Sequence, residues 1–355
     1  GASLINSDTF TIGSNGKLFV IGSTVTNTGT VTVQFLLEIK SGGTFTNQAS
    51  AVLTNNGQVL VFDTLSLLSN AGTIDNGAFL NNFSNGGVTN EGIFNNKSTG
   101  STDNNGFFIN MAGDTIQNDG TFNNASSTPM LNHGILLNSV TGIFQNNATL
   151  TNNGSLTNNG TVHNNSSKTI NNNGTLLNSN VLNTTGTVKT TVSGSLTNAA
   201  GTITVNSGGS LITEGSTLTN SALITNQGTV EVKASGSFLN QPGSTLNNLN
   251  QVLVNDTSSF SNAATFANLS YVNVECGSTF TNSDTLPNSG SFDAGGTFNN
   301  APGATLTNNT GGTFDVKGGA LMTNLSQVTN AAGGIFINSG ILIDNDTFTN
   351  LGAFT

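Results

Sequence analysis

The chain has 355 residues, of which only 7% are charged, and a formal net charge of -10 that comes from seven lysines, no arginine and 17 acidic residues. Binding to nucleic-acid phosphates or an anionic membrane needs clustered cations. Lys17, Lys40, Lys97, Lys168, Lys189, Lys233 and Lys317 are instead scattered along the whole length, so neither partner is expected. No run of 18 apolar residues occurs, so no membrane insertion by a helix is expected.

From the first residues the apolar positions recur at short, nearly constant steps. Leu4, Phe10, Leu18, Val25 and Val31 are spaced by 6, 8, 7 and 6. The pattern is then disturbed. VTVQFLLEIK (31–40) and VLVFDTLSLL (59–68) carry apolar residues at both parities, which marks a strand covered on both sides. Either a loop folds over the outer face across 31–68 or Phe35, Leu36 and Leu37 form an apolar interface for a partner. From Ile74 to Phe144 the spacing recovers, with Phe107-Phe108-Ile109 and Ser127-Thr128-Pro129 reading as irregular corners.

The central stretch, 148–188, is the clearest. Leu150, Leu156, Val162, Ile170, Leu176, Leu182 and Val188 step by 6, 6, 8, 6, 6 and 6. This is neither a helical nor a heptad rhythm. Each unit reads Thr or Ser, apolar, polar, Asn, so alternation of period two puts the apolar residue and the Asn on one side. Very short strands ending in turns and repeated without helices predict a solenoid of stacked parallel strands.

Farther on, Val252, Phe260, Phe266 and Val272 step by 8, 6 and 6, and Val272, Phe280, Leu286 and Phe292 repeat those steps. One coil is thus about 20 residues and three strands, drifting to 22 between Phe292, Phe314 and Phe336. The expected fold is all-β: one domain over 1–355 forming a three-sided parallel β-helix, right-handed because parallel crossovers are. At this period the chain makes about 17 coils, roughly 80 Å at the usual interstrand spacing. Stacked Phe, Leu, Val and Ile build the core. The Asn two residues on, as at Asn152, Asn158, Asn282 and Asn308, points inward at a corner, where its amide can both donate to and accept from its equivalents one coil away.

Units such as GSLTNAAGTITVNSGGSLITEGSTLTN (194–220) resemble the repeats of bacterial secreted β-helix proteins, the autotransporter passenger domains and filamentous-haemagglutinin-like adhesins. The resemblance covers nearly the whole chain. It implies an exported, extracellular or cell-surface β-helix that adheres, for instance to a surface glycan, or builds structure. A secretion domain, a C-terminal barrel and the globular insertions of enzymatic passengers have no counterpart in this sequence.

Catalytic and ligand-binding readings find little support. His133 and His163 have no partner histidine at ligand spacing and read as surface residues. Cys276 shares the parity of Val272 and Val274 and reads as a buried thiol. Asp344 and Asp346 are the closest acidic pair, with no arginine to accompany them, so no enzyme activity, metal or cofactor is expected. The pairs Thr149/Thr151, Thr217/Thr219, Thr279/Thr281, Thr305/Thr307 and Thr347/Thr349 point outward and suggest an ice-binding lattice as a further reading, against simple β-propensity. Both ends are in full repeat. Leu4 and Phe10 with Phe348 and Phe354 are therefore candidate contacts for head-to-tail association of the chain with itself, giving a surface or matrix filament. An adhesin stalk is the alternative.

Overall fold

A computed structural model describes residues 2–125 and 127–355; Gly1, which opens the first repeat, and Ser126 lie outside the described residues. Strands of mostly four residues follow one another from Ser3–Asn6 to Ala353–Phe354, with no helix among the described residues. Consecutive strands fall in turn on three sheets, and each pairs in parallel with the strand three places on, as Thr44–Asn47 does with Leu67–Asn70. The chain divides into two compact units, 1–181 and 182–355. Each is a three-sided parallel β-solenoid of about nine coils.

The strand pattern is set by burial. In Thr279–Asn282 the second and fourth residues are buried and the first and third face out, and most strands repeat this order. Burying one large apolar side chain per strand contributes about 1.5–3 kcal/mol each, which stacking sums into a continuous core within each unit. In the second unit Phe260, Phe280 and Phe298 stack with near-parallel rings 4.7 and 5.5 Å apart. In the first, Phe94, Phe108, Phe122 and Phe144, each on a different strand, follow one another through the core at 5.4 to 5.6 Å.

The fourth position of the strand carries the asparagine ladders. In the first unit Asn132 Nδ2 donates to Asn152 Oδ1 at 2.7 Å and Asn152 Nδ2 to Asn172 Oδ1 at 2.7 Å. A second ladder runs through Asn138, Asn158 and Asn178 at 2.8 Å per step. In the second unit Asn262, Asn282 and Asn300 are joined at 2.9 Å per step, and Asn288, Asn308 and Asn330 at 2.8 Å. The same amides also donate to corner carbonyls, as Asn282 does to Asp284 and Thr305, both at 3.1 Å. One buried side chain thus closes the corner and ties it to the next coil.

Corners are of two kinds. Short ones leave two residues between strands, and longer ones contain a turn in which a residue often takes the left-handed conformation, Gly277 at φ 86° being one. Elsewhere close approach sets the need for glycine: a Cβ on Gly290 would stand 1.9 Å from the Ser270 carbonyl oxygen of the preceding coil. Because corner lengths vary, ladder partners lie between 18 and 24 residues apart, as for Asn282/Asn300 and Asn300/Asn324.

Corners also revise three expectations. In 31–40 the strand Thr30–Val33 ends and Leu36–Lys40 begins, with Gln34 and Phe35 between them. The corner resets the parity, so Val31, Val33, Leu37 and Ile39 are all inward and Leu37 is a core residue, not part of an interface. The stretch 59–68 is likewise split by a turn at 63–65. Phe107–Asn110 is a regular strand with Phe108 in the core, not an irregular corner.

Candidate functional site

With the inward positions used by core and ladder, the chemistry available to a partner lies on the outward residues. In the second unit these are segregated by face. The sheet containing Ser195–Asn198, Thr217–Asn220, Ser237–Asn240, Ser259–Asn262 and Thr279–Asn282 presents Ser195, Thr197, Thr217, Thr219, Ser237, Leu239, Ser259, Ser261, Thr279 and Thr281. Hydroxyls hold nine of those ten places. The next sheet carries Thr245, Thr265, Thr285 and Thr305 in one register column. Neither run contains a charged side chain.

Charge collects on the remaining sheet, whose strands include Ser210–Glu214, Thr229–Lys233, Tyr271–Val274, Ser291–Ala294 and Thr313–Val316. Lys317 Nζ lies 2.6 Å from Asp315 Oδ2 and 3.4 Å from Asp293 Oδ1, so it bridges two coils. Tyr271 Oη donates to Asp293 Oδ2 at 3.3 Å. Lys233 pairs with Glu231 at 3.0 Å, and Lys189 pairs with Glu214. The hydrogen bond that Lys317 donates to Asp315, helped by Asp293, raises the Lys317 pKa above the usual lysine value. Burial, then the Asp293 charge, raises that of the Tyr271 phenol. The Lys189 ammonium holds the Glu214 carboxyl below its ordinary value. In the first unit, the backbone N–H of Ser41 and the Ser66 hydroxyl lower Asp63, whereas burial raises Asp114.

These shifts give the pH response its sign. Glu214 and Asp63 are depressed in the folded chain, so their contribution is present above the ordinary carboxylate range and is lost as pH falls through their folded values. Lys317 is raised, so its contribution is present below the ordinary lysine value and is lost as pH rises through the folded one. Asp114 works in the opposite sense and regains a little stability on acidification. Among the described residues the core holds no titrating group, and the ladders hold only Asp344, an exposed carboxylate in the last coil. The expected result in calorimetry is a melting temperature nearly flat from pH 5 to pH 9, with a decline of a few degrees only below pH 4 or above pH 10. A steep loss between pH 5 and pH 7 would contradict this account.

The remaining sequence candidates are dispersed. His133 is exposed and 3.4 Å from the Asn153 amide; His163 is half-buried on an outward position. Cys276 is exposed, not buried: its strand ends at Val274, and the turn that follows breaks the parity on which the inward reading depended. Asp344 accepts a 2.8 Å hydrogen bond from Asn324 and so continues a ladder, whereas Asp346 is exposed in a corner. Leu4 and Phe354 are exposed and Phe10 and Phe348 half-buried, all in the first and last described coils. The five Thr-x-Thr pairs are spread over all three sheets rather than sharing one face, which gives no single ice-matching lattice. Among the described residues no group of three or more His, Cys, Asp or Glu is placed to hold a metal ion.

Sequence reasoning missed an outer chain of amides. Asn123 donates to Asp103, Asn147 donates to Asn123 at 2.7 Å, and Asn165 donates to Asn147. The signal was present in the doublets Asn123-Asn124, Asn146-Asn147 and Asn164-Asn165, because neighbouring residues at the end of a strand face opposite sides. The first unit also has an aromatic outer face. Phe62 and Phe83 stack at 4.1 Å, Lys40 Nζ stands 5.0 Å from the Phe19 ring centroid, and Lys17 Nζ 5.8 Å from that of Phe35.

Compared with protein-family models and with curated proteins, the chain matches none. Among solved structures it is similar to the crystal structure of a TibC-catalysed hyper-glycosylated TibA fragment, 55–350. That likeness has 16% identity and a TM-score of 0.29, covering 98% of this chain and 99% of that one.

Proposed function

We propose that the chain is a non-enzymatic structural solenoid of an exported protein, working outside the cell or on its surface as part of a filament. The observation that carries this reading is the occupation of the repeat itself. In each strand the inward positions go to core and ladder, and the outward ones mainly to hydroxyls and amides that hold water without charge. Such a body draws its cohesion from buried apolar area and neutral amides, which neither reduction nor moderate changes of pH or salt weaken. The ladder amides also have one polarity: Nδ2 of each coil donates to Oδ1 of the next in chain order, from Asn6 to Asn27 and from Asn330 to Asn350 alike. A coil is therefore best continued by a coil of the same direction, which supports head-to-tail growth.

The test is antibody labelling of intact source cells and their medium, followed by electron microscopy of the untagged chain. Labelling without permeabilisation and filaments longer than one chain are the expected results. Labelling that appears only after permeabilisation overturns the exported reading. Discrete particles at high concentration turn the filament into a stalk, the alternative in which adhesion to a surface or glycan is carried elsewhere.

A further inference from the structure

Of the 22 phenylalanines, 13 are buried in the core. Those outside it are not evenly spread. Apart from the core-facing Phe10, Phe348 and Phe354 of the first and last described coils, six remain. Phe107 faces out from another sheet, and Phe19, Phe35, Phe62, Phe79 and Phe83 all gather on or beside one sheet of the first unit. Its strands are Lys17–Ile21, Leu36–Lys40, Gln58–Val61 and Phe79–Asn82, paired in that order. The register places Phe19 beside Glu38 and then Leu60, and Ile21 beside Lys40. Leu36 faces out from the same sheet, and Leu65 stands at its rim in the corner after Phe62.

Phe19, Ile21, Phe35 and Leu65 are 45%, 51%, 40% and 82% exposed. At about 200 Å² for each such side chain, these four with half-buried Leu36, Leu60, Phe62, Phe79 and Phe83 leave roughly 600 Å² of apolar surface in one patch. A standard interface takes about 800 Å² from each partner, a little over half of it apolar. The patch is therefore the size that a stable pair requires.

We infer that this face is a lateral interface between two copies of the chain. Its geometry disfavours other occupants. Sugar rings stack on open aromatic faces, but here lysines cover the rings of Phe19 and Phe35, and Phe62 and Phe83 cover each other. An anionic membrane needs several free cations, whereas of the two lysines on this patch Lys40 is paired with Glu38 and only Lys17 is without a carboxylate partner among the described residues. An outward sheet face can pack on its own copy about 10 Å away. A two-fold pairing uses the same patch on both sides and closes at two copies. The inference does not depend on the structural role proposed above.

Sedimentation of the full chain over a concentration series, with reductant present because Cys276 is exposed, tests it. A reversible dimer is expected. Phe19→Thr with Ile21→Thr places at both positions the residue found most often at outward sites. It should raise the dimer dissociation constant tenfold or more, with circular dichroism and melting temperature unchanged. Phe107→Thr, on another face, should leave the constant where it is. If the double variant fails to fold, Leu65→Ser replaces it, with about a threefold rise expected. A wild-type chain that stays monomeric overturns the inference, whether or not it binds neutral phosphatidylcholine vesicles, and so does undiminished pairing in the folded double variant. Head-to-tail growth would be unmoved by these substitutions, so the two forms of self-association fail separately.

Discussion

Phe280→Ala is expected to destabilise the second unit by about 3–5 kcal/mol, the cost of removing a fully buried aromatic from a core that cannot collapse around the void. Phe280 is completely buried and touches four other rings: Phe260 at 4.7 Å, Phe292 at 5.2 Å, Phe298 at 5.5 Å and Phe266 at 5.7 Å. Its neighbours are held by their own coils through backbone pairing above and below, so they have little freedom to move into the gap. In a solenoid each coil contacts only its neighbours. The loss should therefore appear first as local opening. Hydrogen exchange should accelerate in the strands Ser259–Asn262, Thr279–Asn282 and Thr297–Asn300 and remain slow in the first unit. Chemical denaturation supplies the magnitude, and a loss below about 1 kcal/mol would mean that the ring stack is not the continuous core described here.

Asn282→Ala is expected to cost about 2–4 kcal/mol through a different mechanism, the stranding of buried acceptors. Asn282 Nδ2 donates to Asn300 Oδ1, Thr305 O and Asp284 O, and Asn282 Oδ1 receives Asn262 Nδ2 at 2.9 Å. Asn262 Nδ2 keeps its bonds to Ala264 and Thr285 when residue 282 is truncated. The Asn300 oxygen loses its donor in the buried interior, and the part-buried carbonyls of Asp284 and Thr305 each lose one as well. Filling the space does not repair this, so Asn282→Val should be nearly as costly.

The reciprocal change tests the reasoning. On another sheet of the same unit the corresponding positions are Val232, Val254 and Val274, all buried. There Val254→Asn would place an amide between methyl groups and should also destabilise by about 2 kcal/mol. One residue pair exchanged in two contexts, destabilising in both directions, separates a ladder from a mere preference for asparagine. Melting temperature and denaturant midpoint of the three variants are the measurements, and an unchanged midpoint in Asn282→Val would remove the ladder from the account of stability.

The ladder and the core were legible before any coordinates because a solenoid writes its spatial period into the chain. Leu150, Leu156 and Val162 announce three strands by their steps alone, and Asn152 and Asn158 follow each apolar residue by two, the spacing that puts both on one side of a strand. The outward surface was legible only in part. Parity holds within a strand but is reset at every corner, so Leu37 and Cys276 were each assigned to the wrong side by counting across a turn.

The sequence by itself therefore determined the three-sided parallel solenoid, the inward apolar rows and the asparagine ladders, since all of these arise from short-range alternation repeated at a nearly constant interval. Tertiary structure alone decided which outward side chains become neighbours. Tyr271 meets Asp293 22 residues on, Lys317 meets Asp293 24 residues back, and Phe62 meets Phe83 after 21. Corners of two or more residues change the coil length from turn to turn, and contacts between coils depend on the running sum of those lengths. That sum brings five phenylalanines to one face of the first unit and gathers the ion pairs of the second onto a single sheet.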